Sequence, residues 1–171
     1  MFSSGRVWKF GNGVDMEHIV PTEFSIKSEA DPEKLKSICM WGLVPDFHKK
    51  VNLGDIVVAG KNFGRGSAHF QPPLALKYLG LSVVAESISR NFLRNAVYVG
   101  LPVLTCPGIT SKVTEGELID VDFKRGNIVR KVSGEVIETV PLGSVLVDII
   151  EAGGEIPYIK KGLLKITDKT E

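Results

Sequence analysis

The run Asp55-Ile56-Val57-Val58-Ala59 is the strongest constraint on how this chain folds. Four consecutive apolar residues, three of them β-branched, leave no polar face, so the run reads as a strand buried on both sides. A glycine-rich loop follows, Gly60-Lys61-Asn62-Phe63-Gly64-Arg65-Gly66-Ser67. A helix is expected from about Pro72 to Gly80, and Ser82-Val83-Val84-Ala85 reads as a second buried strand. Between Ser87 and Val99, Ile88, Phe92 and Ala96 recur at i+4 with Leu93 and Val97 alongside, giving a helix closed by Gly100. Leu101 to Cys106 supplies a third strand. Strand–helix–strand–helix–strand is a parallel α/β unit, and such units carry ligands at the carboxyl ends of their strands.

The flanks read differently. Arg6 to Phe10 is expected to be a short strand, and Gly11, Gly13 and Pro21 bracket an irregular segment. Asp31-Pro32 opens a helix whose buried stripe is Leu35, Ile38 and Cys39, and Pro45-Asp46-Phe47 opens another short one. After Pro107 the apolar period falls to two: Ile119, Val121 and Phe123 alternate with Asp120 and Asp122. A turn at Lys124-Arg125-Gly126-Asn127 and short strands from Ile128 to Val140, broken at Ser133-Gly134, complete an antiparallel β patch. Val145, Leu146, Ile149 and Ile150 form a helical face that stops at Gly153-Gly154. No repeat or linker interrupts the pattern, so residues 1–171 are expected to form one α/β domain with an attached antiparallel patch.

Composition narrows the function. With 21 Lys+Arg, 20 Asp+Glu and a formal charge of +1, the chain has no basic excess for nucleic acid. It lacks both an apolar run of about 18 residues for a membrane span and a secretory-type start, so a cytoplasmic protein is expected. Its only cysteines are Cys39 and Cys106. A structural zinc or a cubane iron–sulfur cluster needs three or four thiolate or imidazole ligands, which these cysteines alone cannot supply.

Gly64-x-Gly66-Ser67 lies between a buried strand and a helix, where paired glycines let backbone approach a ligand and amides favour an anion. Two common phosphate motifs do not fit. The dinucleotide fingerprint needs a glycine where His69 stands, and Lys61 is at the wrong end for a phosphate loop. A plain structural turn and an anion site both remain open. Ser67 is a candidate nucleophile or base, or simply a helix cap, since Gly66-Ser67-Ala68-His69 is not a hydrolase elbow. Asp15, Glu17 and His18 gather in the early loop and on pattern alone read as solvated polar residues. Arg90 and Arg94, at i and i+4, read as surface charges unless the fold turns them toward the glycine loop, and His48 reads as a surface residue.

Together these segments resemble the small subunit of the aconitase-type hydro-lyases, namely 3-isopropylmalate dehydratase and homoaconitase. The similarity spans Gly5-Arg6-Val7-Trp8-Lys9-Phe10-Gly11, Val14-Asp15 with Ile19-Val20-Pro21, and Asp31-Pro32-Glu33-Lys34-Leu35. Its most specific stretches are Gly54 to Gly64 and Arg94-Asn95-Ala96 before Gly100-Leu101-Pro102, with Glu151-Ala152-Gly153-Gly154 near the end. The resemblance implies a swivelling β/β/α domain that closes over a large subunit carrying a [4Fe–4S] cluster. In such enzymes one iron acts as a Lewis acid on the substrate, a small dicarboxylic or tricarboxylic hydroxy acid. A serine alkoxide takes the proton from the neighbouring carbon. Ser67 occupies that serine's position, and the loop amides are suited to stabilise its alkoxide.

The chain departs from the family where the substrate binds. The family reads Gly-Ser-Ser-Arg-Glu-His, whereas this chain reads Gly66-Ser67-Ala68-His69-Phe70-Gln71. The family's arginine grips a substrate carboxylate, and histidine cannot make the same two-pronged contact. Arg65, where the family commonly has a small residue, is expected to replace that clamp together with His69, with Gly66 and Ala68 lining the same site. The family's Asp-Thr-Asp becomes Asp15-Met16-Glu17, followed by His18, on the same face. Arg90 or Arg94 would stand behind it. Phe24-Ser25-Ile26-Lys27 falls on the family's specificity loop, where Ile26 suits an apolar substituent and Lys27 an acidic one. Isopropylmalate leads on family frequency, with homoaconitate-type and dimethylmalate-type acids open. A non-catalytic paralogue that binds a partner or acid without turnover is the contrasting reading.

Overall fold

The computed structural model describes residues 1–27 and 30–167, without the side chains of Ile26 and residues 163–167. The elements run β1 (Phe2–Lys9), α1 (Met16–Ile19), α2 (Thr22–Ile26), α3 (Pro32–Ile38), α4 (Phe47–Lys50), β2 (Ile56–Ala59), α5 (Gln71–Tyr78) and β3 (Ser82–Ala85). They continue with α6 (Arg90–Val99), β4 (Val103–Thr105), α7 (Ile109–Lys112), β5 (Leu118–Asp122), β6 (Asn127–Arg130), β7 (Val136–Glu138), α8 (Ser144–Glu151) and α9 (Glu155–Thr167).

All seven strands join one curled sheet in the order β4-β3-β2-β1-β5-β6-β7. The β1–β4 half is parallel, with Val7 opposite Ile56, Val57 opposite Val83 and Val84 opposite Leu104. The β1–β5–β6–β7 half is antiparallel. The mixed α/β class expected from the sequence is the one observed.

The curl explains the continuous apolar runs. Val57, Ala59, Val83, Ala85 and Val103 face a core built with α1, α3, α5 and α6. Ile56, Val58, Val84 and Leu104 face a second core with Ile119, Val121, Phe123, Ile128 and Ile137 of the antiparallel half. The parallel strands are therefore covered on both faces, by helices on one and by the sheet's own extension on the other. Cys39 lies in the first core and Cys106 in the second, on opposite faces of the sheet. Burial pushes both thiols up, so neither is a reactive thiolate at neutral pH.

The first strand begins four residues before the expected start at Arg6. Phe2 to Arg6 pair with β5, and Val7 to Lys9 pair with β2, so one strand serves two partners in succession. Asp55 fixes the changeover. Its buried carboxylate accepts from Arg6 N at 2.9 Å, Trp8 Nε1 at 3.0 Å and Asn52 N at 3.0 Å. Three donors make burial of that charge tolerable and tie β1 to the entrance of β2.

One helix starts where expected and another later, for a local reason. Asp31 caps α3 as expected, its side chain accepting from Lys34 N at 2.9 Å. The helix expected from Ser87 starts at Arg90, because Ser89 is extended and its hydroxyl caps Phe92 N. The segment after Gly11 contains the short helices α1 and α2, and a further helix, α9, follows Gly153-Gly154. Gly100 ends α6 at φ +79°, and a Cβ there would lie 2.4 Å from the Gly153 carbonyl carbon. Lys77 Nζ seals this backbone contact by donating to the Val99 and Gly153 carbonyls at 2.6 and 2.9 Å.

Candidate active site

The glycine loop leaves the carboxyl end of β2 and is bound on both sides. On one side it meets the chain before α1: Gly64 N donates to Val14 O at 2.7 Å and Met16 N donates to Arg65 O at 2.9 Å. On the other it meets α6, where Ser89 Oγ donates to Gly64 O at 2.5 Å and Phe63 packs edge-on against Phe92. Gly64 has φ +69°, and a Cβ there would fall 2.3 Å from Phe92 Cγ, so this position requires glycine twice over. Gly66 has φ +103° with open space around it, which frees the loop crest to face a ligand.

A cavity of about 410 Å³ opens over the crest, walled by Asp15, Glu17, Thr22, Arg65, Gly66 and Ser67. The fold thus brings together residues some fifty positions apart in the sequence. Both carboxylates are already engaged. Asp15 accepts from His18 N at 3.0 Å, while Asp15 N donates to His18 Nδ1 at 3.2 Å, a reciprocal cap on α1. Glu17 accepts from Thr22 N at 2.8 Å and also from the Thr22 hydroxyl, which joins α1 to α2.

Arg65 is different. Its guanidinium is exposed and has no ion pair among the described residues. The backbone N–H groups of Gly66, Ser67, Ala68 and His69 likewise donate to no described residue. Half-buried Ser67 directs its hydroxyl toward Met16 Sδ at 3.6 Å, an acceptor too weak to hold the proton strongly. The site therefore offers an unpaired cation and the unpaired amides of Gly66 and Ser67 beside a weakly held serine hydroxyl. That combination suits a small carboxylate and stabilisation of negative charge on the serine oxygen.

The other expected residues fall elsewhere. Ala68 and His69 do not wall this cavity, and His69 Nδ1 is buried without a partner. Ile26 closes α2, and its side chain lies outside the described residues. Arg90 and Arg94 line a separate groove with Leu93, Val97, Leu146 and Glu155. His48 is half-buried, with Nδ1 unpaired, rather than a surface residue. Met16 and Thr22 belong to the site although nothing in the sequence marked them. Only their adjacency to Asp15 and Glu17 could have done so.

The aconitase C-terminal domain profile matches residues 39–107, the segment from α3's end to β4 that contains the glycine loop. The isopropylmalate/citramalate isomerase small subunit of Methanocaldococcus jannaschii is 48% identical, covering 92% of this chain and 93% of that protein. The 3-isopropylmalate dehydratase small subunit of Halothermothrix orenii is 44% identical, covering 93% of this chain and 96% of that protein. Among solved structures, 3-isopropylmalate dehydratase of M. jannaschii superposes with a TM-score of 0.90 at 36% identity, covering 99% of each chain. Identity at this level, sustained over more than nine-tenths of its length, places the chain in the small-subunit family of the 3-isopropylmalate dehydratases, hydro-lyases with an aconitase-type domain.

Proposed function

We propose that this chain completes the active site of a hydro-lyase acting on a branched 2-hydroxy dicarboxylic acid, 3-isopropylmalate first, with Ser67 as the proton-transfer base. The observation that carries the reading is the Ser67 hydroxyl beside the unpaired Arg65 guanidinium and the unpaired loop amides, over a cavity of about 410 Å³. Arg65 takes a substrate carboxylate. Held there, the substrate presents the carbon next to its hydroxyl-bearing carbon to Ser67 Oγ. The alkoxide accepts that carbon's proton and becomes a neutral hydroxyl, and the amides stabilise the charged form beforehand. Asp15 and Glu17 shape the pocket through their caps and keep its opposite wall acidic. This repels a misplaced carboxylate and directs it to Arg65.

The iron–sulfur cluster of such enzymes is assigned to the large subunit. Cys39 and Cys106 are separately buried on opposite sheet faces, and no three His, Cys, Asp or Glu residues converge among those described. Two ligands that cannot meet do not fit a cluster.

The test is anaerobic reconstitution with the large subunit and assay on 3-isopropylmalate, citramalate and homoaconitate. Ser67→Ala is expected to lower kcat by roughly 10²- to 10⁴-fold, the usual range for a general base. Arg65→Ala is expected to raise KM more than it lowers kcat. Unchanged affinity and turnover in Arg65→Ala refute the clamp, and a complex that binds acids but turns over none of them points to the non-catalytic paralogue.

A further inference from the structure

The braces on the glycine loop are unequal in kind. From α6 and its N-cap, Ser89, Phe92 and Asn95 stand at successive i+3 positions, and all three touch the loop. Ser89 takes the Gly64 carbonyl and Phe92 blocks any side chain at Gly64, which fixes the loop's upstream end. Asn95, only 8% exposed, fixes the downstream end: its Nδ2 donates to Ala68 O at 2.8 Å and to His69 O at 3.0 Å. Both hydrogens of the amide are thereby used. The three loop residues between the braces, Arg65, Gly66 and Ser67, are the ones that wall the cavity.

The chemistry of a trans peptide gives the second contact its meaning. C=O and the following N–H point in opposite directions, so drawing the Ala68 and His69 carbonyls toward α6 turns the N–H groups of His69 and Phe70 away from it. Those two peptides begin one residue after Ser67. A polar side chain buried in a helix interior also costs stability unless its hydrogen bonds repay it. Alanine or leucine at position 95 would pack the helix without that cost.

We propose that Asn95 is a positioning residue for Ser67, holding the peptide planes after the serine so that the loop amides stay aligned on its oxygen. The inference rests on the reading of Ser67 as the base. It gives Asn95 no contact with substrate and a role that operates only through Ser67.

The experiment uses the enzyme reconstituted with its large subunit and four variants: Ser67→Ala, Asn95→Ala, Asn95→Asp and the double variant Ser67→Ala with Asn95→Ala. Asn95→Asp keeps the side-chain volume but loses both donors. Both Asn95 single variants are expected to lose tenfold or more in kcat at pH 7 with KM within twofold. The pH at which kcat reaches its plateau should move up by one unit or more, because a poorly stabilised alkoxide forms only at higher pH. The double variant should be no slower than Ser67→Ala, since a residue acting through the serine has nothing left to act on. An unchanged kcat, an equal loss at every pH, or an additive double variant overturns the proposal. Failure of both single variants to assemble also counts against it, because a purely structural asparagine then suffices. Should Ser67→Ala retain full turnover, the base assignment itself fails; Ser67→Ala inactive with normal Asn95 variants removes only this inference.

Discussion

The two halves of the sheet solve the same problem by different means. The parallel half is apolar on both faces, and its strands end in loops held by backbone hydrogen bonds and close aromatic packing. The antiparallel half buries only one face, and its outer face is held by ion pairs. Arg130 grips Glu117 through Nε at 2.8 Å and Nη2 at 3.0 Å, and reaches Glu135 at 3.0 Å, while Lys131 pairs with Asp120 at 3.0 Å. The candidate site opens on the first half, over the loop that follows β2. A site that needs unpaired amides and an unpaired cation is safest where neighbouring order does not depend on other charges.

This contrast can be broken at several points. The largest effect is expected from Phe92→Ala, which removes a fully buried ring from beneath Gly64. It should cost about 3–5 kcal/mol in denaturant unfolding and reduce turnover of the remaining folded complex as well. Ile119→Ala in the antiparallel half should cost about 2–4 kcal/mol, yet leave turnover per folded complex within twofold. Equal catalytic losses in the two variants would erase the division between the halves. Gly66→Ala meets no atom but keeps a positive φ, so about 1–2 kcal/mol of strain is expected, with a KM effect from the altered loop crest.

Smaller still is the acid response of the antiparallel half. The hydrogen bond from Arg130, then those from Thr114, pull the Glu117 carboxyl from 4.5 down to about 2 despite opposing desolvation. A depressed carboxylate contributes stability above its unfolded value and loses it as pH falls through the folded one. Unfolding free energy should therefore decline between pH 4.5 and 2, and Glu117→Gln should flatten that limb. Val132→Ser, on an exposed turn, should stay within about 0.5 kcal/mol and mark the floor of the series.

The parts legible in the sequence were those where one interaction dominates. β2 is apolar on every residue and β3 on all but Ser82, and α6 carries a clear i+4 stripe, so burial alone specified them. Phe2 to Gly5 were illegible as strand because Phe2 is exposed and Ser3, Ser4 and Gly5 are small: Gly5 is there since a Cβ would lie 2.4 Å from Gly54 O. Asp15, Glu17, Arg65, Gly66 and Ser67 were candidates, and they meet at one cavity. His69 was not separable from Arg65 by residue type, since only peptide direction decides that one side chain faces the cavity and the other does not. Asn95 had a readable sign, an amide set between Phe92 and Ala96 on an otherwise apolar stripe, but its partners are carbonyls that no sequence displays.

The double duty of β1 bears on how the molecule is made. Phe2 to Lys9 are synthesised before either of their partners, so one edge waits for Ile56 and the other for Leu118 to Asp122. Until both arrive, the strand at the centre of the finished sheet is an open edge on each side, and these late, distant pairings slow its closure. Asp55 shortens the wait on one edge, because its carboxylate can capture Arg6 N and Trp8 Nε1 as soon as β2 is synthesised. A chain lacking that carboxylate would leave β1 exposed to other nascent chains for longer, and its first symptom should be poor soluble yield rather than a slower enzyme.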